Sequence, residues 1–470
     1  MAARPMIGWQ ESGQSTDCGK NSTSLCRSGA GRGCPYNPAP MPEASSDDFH
    51  PGFRSHVTLF LCTILHAFTH AYGSLLVPLY LLMVSDLRLR GVSYASAVVT
   101  VYGVVYCLGS YAAGEMADRY NRKLLLGVGL LGNALAITAM GLTRQYELIM
   151  MFGVLAGVFG TLFHPAANAL VPAHYPKSPG MAIGLLGIGS GIGFFAGPQF
   201  AGWRAQSAAW QFGTVANWQK PLVEAGIAGV IIGIIFLLVA REVGYHPPHA
   251  RSKHALDPRL RLRVSQLACV LGCRDFAGIA TLSLASIYLQ KAHGLDAKRT
   301  GFIVGSMMLS SILVNPFMVY FSPGRRRLPM LAIVLIAGGL VVALTPLVPL
   351  NYVLAVLMGF MVFQLGSYAL SDAAMLERVA PQVRGRVVGQ FLTIAGTMSS
   401  TAPFVMGYWT DRLGIRATQP SAYIPLFVTL GALMIVASAC TPLIARLGEV
   451  EGPPIDPMTQ TTPATVEPAL

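Results

Sequence analysis

Apolar residues in this chain occur in long uninterrupted runs separated by short polar intervals. From His56 onward the runs are about 18–25 residues long, and twelve of them follow one another. A helix of that length crosses a hydrocarbon layer of roughly 30 Å. Every backbone polar group needs an internal partner in lipid, and the alternating ten-residue pattern of barrel strands is missing. The pattern therefore predicts an all-α, polytopic membrane protein.

The twelve predicted transmembrane helices form two sets of six, separated by the longest polar interval. The expected spans are 56–83, 93–113, 124–142, 147–171, 180–202, 221–240, 264–290, 300–321, 329–349, 352–376, 387–409 and 422–445. We therefore expect five segments, namely a disordered cytoplasmic tail (1–54), an N-terminal six-helix bundle (55–240), a cytoplasmic linker (241–263), a C-terminal six-helix bundle (264–445) and a disordered tail (446–470).

An internal repeat supports two related bundles. At an offset of 205 residues, Pro176-Lys177-Ser178-Pro179-Gly180 corresponds to Pro381-Gln382-Val383-Arg384-Gly385. At the same offset, the segment from Gly197 to Trp203 corresponds to the segment from Ala402 to Tyr408. Each pair joins equivalent spans of the two sets, so we predict two pseudo-symmetric six-helix bundles.

Composition and charge narrow the class further. Charged residues make up 11% of the chain, against roughly 25% in soluble proteins, and the mean hydropathy is +0.53. The net charge of +12 is not arranged as a basic stripe with aromatic residues, so we expect no nucleic-acid partner. Placing both termini in the cytoplasm puts 22 Lys and Arg residues inside and 10 outside, which the positive-inside rule favours.

A tight basic turn between the second and third spans reads Gly114-Glu115-Met116-Ala117-Asp118-Arg119-Tyr120-Asn121-Arg122-Lys123. It resembles the G-x-x-x-D-R-x-x-R-K signature of the major facilitator superfamily. The resemblance implies two bundles around a midplane cavity that open alternately to either side. It also implies a conformational latch between the cytoplasmic ends of the bundles, formed by Gly114, Asp118, Arg119, Arg122 and Lys123.

The fifth span carries a second motif, formed by Gly184, Gly193, Gly197, Pro198 and Gly202. It resembles the G-x8-G-x3-G-P-x2-G-G signature of antiporter branches of the same superfamily, with Ala201 at one small position. Glycines four residues apart let a partner helix approach closely, and the proline permits a kink. The resemblance implies export, whereas glycine packing without functional meaning is the alternative.

The fourth span begins its second half with Phe163-His164-Pro165. Together with His66, Tyr72 and Arg274, this segment is similar to fosmidomycin-resistance-type exporters and other drug/proton antiporters. The sequence departs from that pattern at His70, where aspartate is expected, and at Pro179, where arginine is expected. It also lacks the span-four arginine of many drug/proton antiporters, which puts their usual proton-coupling device in doubt.

Ionisable side chains inside membrane spans are costly, so each is a candidate for function. The candidate substrate- or proton-binding residues are His66, His70, His164, Arg274, Asp275 and Asp372. His66 and His70 share one helix face, and a histidine exchanges protons near neutral pH. Two structural alternatives remain: Arg274 and Asp275 could neutralise each other, and His164 could form only a hydrogen bond between helices.

We expect a non-enzymatic secondary active transporter, because the resemblance implies proton-coupled efflux of a small organic compound or drug. Its expected partners are the substrate, protons and the lipid bilayer, and we expect a monomer in the inner membrane without metal or cofactor. A proton-linked importer of an organic acid is the alternative within this class. The alternatives from other classes are a membrane metalloenzyme with His66, His70 and His164 as ligands, and a receptor without flux.

Overall fold

The structure, a computed structural model, describes residues 52–207, 215–243, 256–310, 324–380 and 383–449, together with Met318 and Ser322. Nearly all of both predicted tails and about half of the predicted linker lie outside the described residues. Regular structure in these ranges is helical throughout, which confirms the predicted fold class. The contacts below all belong to the unit from Pro51 to Leu470.

Eight α-helices precede the gap that begins at residue 244. They are α1 (Phe53–Ser74), α2 (Tyr80–Asp86), α3 (Val92–Arg119), α4 (Arg122–Gly141), α5 (Tyr146–Gly160), α6 (Phe163–Ala173), α7 (Pro179–Gln206) and α8 (Lys220–Val239). Asn121 caps the start of α4 by accepting a hydrogen bond from the Leu124 amide at 2.8 Å. We call α1–α8 the first helix set.

The second helix set follows that gap. It comprises α9 (Pro258–Lys291), α10 (Ala297–Met307), α11 (Arg327–Ala343), α12 (Leu350–Leu376), α13 (Arg384–Ser400), α14 (Ala402–Leu413), α15 (Ile424–Ala437) and α16 (Cys440–Ala445). Helix α9 begins within the segment predicted as a linker, because Asp257 caps it by accepting from the Arg259 amide.

Ten helical segments of the described chain are long and apolar enough to cross a membrane. They are Phe53–Asp86, Val92–Arg119, Arg122–Gly141, Tyr146–Ala173, Pro179–Gln206, Lys220–Val239, Pro258–Lys291, Arg327–Leu347, Leu350–Leu376 and Pro420–Gly448. The predicted span 300–321 lies partly outside the described residues. The predicted span 387–409 is divided between α13 and α14, and each of these helices is shorter than 18 residues.

Several predicted spans are each divided into two consecutive helices in the structure, and a proline lies at each break. The predicted span 147–171 divides at Thr161 and Leu162, between α5 and α6. Pro165 has no amide hydrogen to donate to the carbonyl of residue 161, so the helical ladder is interrupted there. Pro78 and Pro403 lie at the corresponding breaks between α1 and α2 and between α13 and α14.

Two pairs of spans make most of the contact between the two helix sets, and α9 also meets α2 and the 77–79 turn. Helix α3 contacts α13 and α14, and α7 contacts α10. The 205-residue repeat relates the fifth predicted span, α7, to the eleventh, α13 with α14, and the order of spans relates α3 to α10. An operation that exchanges the sets therefore turns one contact pair into the other, as the predicted pseudo-symmetry requires.

Among the described residues, the sets make close backbone contacts at one end of the helices. At the end containing Asp411, called the Asp411 end, an added Cβ at Gly202 would lie 2.1 Å from the Ala297 carbonyl oxygen of the other set. The basic end contains the 120–121 turn and the starts of α7 and α13. There, Gly184, Gly385 and Gly389 have no neighbouring atom within 4 Å of an added Cβ. Backbone-to-backbone contact between the sets is therefore seen at the Asp411 end and not at these three glycines of the basic end.

Candidate functional site

Three histidines of the first helix set form a cluster halfway along the spans. One ring nitrogen from each of His66, His70 and His164 lies within 4.8 Å of the others. His66 is buried, whereas His70 and His164 are partly exposed. His164 belongs to the first turn of α6, so the break before Phe163 places it beside α1. The structure therefore brings together all three histidines that the sequence singled out.

The hydrogen bonds of the cluster define its neutral protonation pattern. His66 Nδ1 lies 2.8 Å from the Leu186 carbonyl oxygen, which can only accept, so Nδ1 carries the hydrogen. His66 Nε2 is then the acceptor in the 3.0 Å contact with His70 Nε2, and His70 donates. A proton added to His66 Nε2 breaks this pattern, because two N–H groups would then face each other. Uptake of one proton therefore breaks the hydrogen bond between His66 and His70.

Glycines of the fifth predicted span hold α1 in place behind the cluster. An added Cβ would lie 2.2 Å from the Thr63 carbonyl oxygen at Gly189 and 2.2 Å from the Ala67 carbonyl oxygen at Gly193. At Gly197 it would lie 2.9 Å from the Ala71 Cα. These contacts recur every four residues on both helices, so α7 and α1 touch backbone to backbone. The close approach keeps His66 and His70 next to α6.

The second helix set contains its own buried charged network around Arg274. Arg274 Nε donates to Asp275 Oδ1 at 2.7 Å, and Nη1 donates to Ser371 Oγ at 2.8 Å. The guanidinium carbon lies 3.8 Å from the ring centroid of Tyr368. Arg274 is fully buried, and its Nη2 has no hydrogen-bond partner among the described residues. Nη2 is therefore a buried donor without an acceptor among the described residues.

The structure pairs Asp275 with Arg274, and the histidines hydrogen-bond to each other and to a carbonyl group. Asp372 is exposed, and the Ser371 hydroxyl lies 3.4 Å from its Oδ1. Asp372 therefore belongs to the same network as Arg274 through Ser371. Among the described contacts, neither aspartate hydrogen-bonds to the histidine cluster, so the two groups of candidate residues form two separate sites, one in each helix set.

A polar contact between the helix sets involves Cys107 of α3 and Ser400 of α13. Cys107 Sγ lies 3.5 Å from Ser400 Oγ, and Gly396 leaves room for the thiol. The neighbouring Tyr106 ring meets the His164 ring edge-on at 6.1 Å between centroids. The buried Tyr106 hydroxyl has no hydrogen-bond partner among the described residues. This region of α3 therefore adjoins both the histidine cluster and the second helix set.

The turn at 114–123 is tied to its own helix set in this conformation. Glu115 and Arg119 form an ion pair at 3.6 Å, and Arg122 Nε donates to the Ala117 carbonyl. The Lys123 amide donates to the Glu242 carboxylate at 2.7 Å. Gly114 has no neighbour within 4 Å of an added Cβ, and Asp118 is exposed.

His174 fastens the basic end of the first helix set just outside the membrane spans. Its Nε2 lies 3.0 Å from the Arg241 carbonyl oxygen and donates to it, so Nδ1 accepts from the Ser55 hydroxyl at 3.1 Å. Burial lowers the pKa of His174, because the charged ring would lose its hydration. His174 therefore links the ends of three spans as a neutral imidazole.

Two charged contacts of the structure were not singled out from the sequence. Asp411 accepts hydrogen bonds from the amides of Val92 and Ser93 at the start of α3. Arg204 and Glu224 form a buried ion pair at 2.7 Å between α7 and α8. The signal for Asp411 is in the sequence, because Gly407-Tyr408-Trp409-Thr410-Asp411-Arg412 repeats the G-x-x-x-D-R spacing of Gly114 to Arg119. We found no comparable sequence signal for the Arg204–Glu224 pair.

Two further motif residues of α7, Pro198 and Gly202, face the second helix set. The carbonyl oxygen of Pro198 would lie 2.3 Å from an added Cβ at Gly301, and Gly202 packs on the backbone of Ala297. Gly184 has open space around it. One helix thus contacts α1 through Gly193 and Gly197 and α10 through Pro198 and Gly202.

Two helix sets with pseudo-symmetric contact pairs and charged residues buried between the helices are typical of one transporter fold. The sequence model of the Major Facilitator Superfamily matches residues 59–403. The chain belongs to the Major Facilitator Superfamily. This confirms the family expected from the 114–123 turn, and it makes the protein an integral membrane transporter and not an enzyme.

Relatives in the superfamily transport different compounds. The tetracenomycin C resistance and export protein of Streptomyces glaucescens is 32% identical over 141 residues, which are 30% of this chain and 25% of that protein. A probable 4-methylmuconolactone transporter of Cupriavidus pinatubonensis is 23% identical over 392 residues, or 77% of this chain and 86% of that protein. The chain thus covers only a quarter of the tetracenomycin protein.

A solved structure shares the fold along most of the chain. A bacterial homolog of the human lysosomal transporter Spinster, in an inward-facing and occupied conformation, superposes with a TM-score of 0.69. The match covers 85% of this chain and 98% of that protein at 16% sequence identity. This likeness concerns the fold alone.

Proposed function

We propose that the protein is a proton-coupled exporter of a small organic compound. The observation that carries the proposal is the placement of two titratable sites in the membrane spans, one in each helix set. The histidine cluster can take up a proton at His66 or His70, and the Arg274 network contains a buried donor, Nη2, without an acceptor among the described residues. Such groups are costly in a membrane unless they handle protons or substrate.

The two sites divide the work under this proposal. A proton breaks the His66–His70 hydrogen bond and therefore changes the packing of α1 against α6. Arg274 offers Nη2 to an acceptor group of the substrate, while Asp275 and Ser371 hold the guanidinium plane. Asp372, which is exposed and joined to this network through Ser371, supplies a second protonatable group. Protons therefore bind on the side of the first helix set, and substrate binds on the side of the second helix set.

Export is favoured by two observations. The glycines of α7 match the antiporter-type motif of the superfamily at Gly184, Gly193, Gly197, Pro198 and Gly202. A relative 32% identical over its matched segment is named as a resistance and export protein. We therefore assign outward movement of substrate against an inward flow of protons.

We further propose that the basic end faces the cytoplasm, with both termini inside, in the plasma membrane. The present conformation is then open to the cytoplasm and closed at the outer side by the contact of Asp411 with α3. Asp118 at the opposite end of α3 would meet the start of α13 when the cytoplasmic side closes. The protein carries out this cycle as a monomer with a domain boundary at 241–263.

Transport by purified protein in liposomes tests the proposal. A panel of toxic compounds is first screened for resistance in a strain stripped of its own pumps, and the compound found is loaded into liposomes. With an imposed proton gradient, we expect substrate to move against the proton flow. Movement in the same direction as the protons would overturn antiport and favour an importer.

Variants then test the coupling residues. Asp372→Asn removes one carboxylate with little change in shape, and we expect it to abolish gradient-driven transport while substrate still binds. Asp275→Asn also removes the ion pair that holds Arg274, so we expect it to reduce both gradient-driven transport and substrate binding. Gradient-driven transport that is unchanged in both variants would overturn the coupling role of these aspartates and leave the fold and family intact. Asp257→Asn, which alters the helix cap at the start of α9, is the matched control.

A further inference from the structure

We propose that His66, His70 and His164 form a binding site for a divalent transition-metal ion of the zinc class. These histidines belong to the site described above, but the inference does not require proton coupling or export. Three imidazoles without a neighbouring carboxylate group suit Zn²⁺, Ni²⁺ or Cu²⁺, whereas Mg²⁺ and Ca²⁺ prefer oxygen ligands.

The distances are close to those of a three-histidine site. Two imidazole nitrogens bound tetrahedrally at about 2.0–2.1 Å from zinc are roughly 3.3 Å apart. The Nε2 atoms of His66 and His70 are already 3.0 Å apart, and the third ligand nitrogen lies within 4.8 Å. Movements on the order of 1 Å close the triangle, and the His70 ring transfers its hydrogen from Nε2 to Nδ1.

The surroundings of His66 match those of a metal ligand. A metal-binding histidine usually donates its second ring nitrogen to a carbonyl or carboxylate group, which fixes the tautomer and the ring orientation. His66 Nδ1 donates to Leu186 O at 2.8 Å and so directs the Nε2 lone pair into the cluster. Gly189 and Gly193 bring α7 close enough to hold this arrangement. The positioning contact therefore exists before any ion binds.

The site leaves a coordination position open. His70 and His164 are partly exposed, so a fourth ligand can reach an ion from the space between the helix sets. Three protein ligands with one open position is the arrangement in which zinc binds water or an anionic group. An ion bound here occupies the nitrogens that would otherwise take protons, so the ion and protons compete for the cluster.

Zinc binding to the purified full-length protein tests the inference. The three cysteines of the N-terminal segment, Cys18, Cys26 and Cys34, are replaced by serine so that they cannot bind the ion. Equilibrium dialysis against Zn²⁺ is expected to give one ion per chain. His164→Asn and His70→Asn are expected to weaken binding by more than the roughly 10–100-fold loss typical of outer-sphere changes. His293→Asn, in the loop after α9, is the matched control and should bind as the parent does.

Two further measurements guard against variants that fail to fold. In the unmutated histidine background, Zn²⁺ should protect His164 from modification by diethyl pyrocarbonate, read by mass spectrometry. Co²⁺ should give the absorption of a four-coordinate site without thiolate bands. The site would be overturned if His164→Asn bound Zn²⁺ with the same stoichiometry and affinity as the parent protein. It would also be overturned if diethyl pyrocarbonate still modified His164 at saturating Zn²⁺. Transport measured with a chelator present reports on proton coupling separately, so the two proposals can fail independently.

Discussion

Asp411 of the second helix set caps the start of a helix of the first set at Ser93. Its Oδ2 accepts from the Ser93 amide at 2.9 Å and from the Ser93 hydroxyl at 2.7 Å, while Oδ1 accepts from the Val92 amide at 2.8 Å. Gly91 and Gly407 allow this approach, since an added Cβ at Gly91 would lie 2.2 Å from the carboxylate. A carboxylate at a helix start also faces the positive end of the helix dipole. The contact stabilises the conformation that is closed at the Asp411 end.

Asp411→Asn should shift the protein toward the conformation that is closed at the basic end. The amide loses the charge and one acceptor, and hydrogen bonds to charged groups contribute about 1.5–3 kcal/mol. That range corresponds to a shift of roughly ten- to a hundredfold in the ratio of the two conformations. Distances between spin labels at the starts of α7 and α13 should shorten in the variant.

Gly91→Ala should act in the same direction, because the new methyl group displaces the Asp411 carboxylate. Ser93→Ala is the milder control, because it removes the hydroxyl contact and keeps both amide contacts. Label distances that stay unchanged in Asp411→Asn and Gly91→Ala would contradict a role for this contact in the conformational balance.

Gly193→Ala should destabilise the protein, because the added Cβ would lie 2.2 Å from the Ala67 carbonyl oxygen and 3.0 Å from the His70 Cβ. Overpacking of this kind costs about 1–3 kcal/mol. Thermal unfolding in detergent should show the loss. Gly184 has open space around it, and alanine is a better helix former than glycine. The thermal unfolding midpoint of Gly184→Ala should therefore equal that of the parent protein or lie slightly above it. Equal losses in both variants would argue against the α1–α7 contact as the cause.

Arg274→Lys should reduce transport by at least about tenfold, a loss of about 1.4 kcal/mol, while the protein remains folded. Lysine keeps the charge, but it cannot bond Asp275 and Ser371 together and also stack on Tyr368. Ser371→Ala removes one of these contacts and should have a smaller effect. Substrate flux at matched protein amounts measures both. Full activity of Arg274→Lys would show that the site needs only a positive charge.

The stability of the first helix set should fall in acid because of His174. Its folded-state pKa lies below the unfolded value near 6.5, so its contribution is complete above about pH 6.5 and is lost as the pH falls below that value. Burial is the main cause, and nearby Glu242 and Arg241 shift the pKa in opposite directions. Between pH 8 and pH 5, the thermal unfolding midpoint of the parent protein should fall more steeply than that of His174→Gln. Parallel declines would assign the acid sensitivity to other groups.

The sequence predicted the fold class because only helices and closed barrels satisfy every backbone hydrogen bond in lipid. Run length alone located ten of the twelve predicted spans among the described residues, and the 114–123 turn predicted the superfamily that the comparison confirms. The breaks at Thr161 and Thr401 were not predicted, although Pro165 and Pro403 follow them. A proline in a membrane span can be tolerated within a continuous helix, as Pro198 is in α7, so packing decides the outcome.

The sequence predicted which residues are candidates for the site, but it did not predict which of them lie together. Sequence spacing placed His66 and His70 on one face, but only the approach of α6 adds His164 to them. For Asp275 the sequence left two possibilities open, a substrate- or proton-binding role and a pair with Arg274, and the structure places it in a pair with Arg274. Which charged groups meet depends on the rotation of each helix about its axis, and the nearly uniform apolarity of the spans does not fix that rotation.

The contact of α7 with α10 at Pro198, Gly202, Ala297 and Gly301 is made by main-chain atoms. At these four positions the glycines let the main chains of the two helices touch, so no side chain has to change its rotamer when the contact opens or closes. Because the contact lies at the Asp411 end, the proposed cycle requires it to separate when that end opens. Residues that bind cargo elsewhere can then change without altering this joint between the two sets.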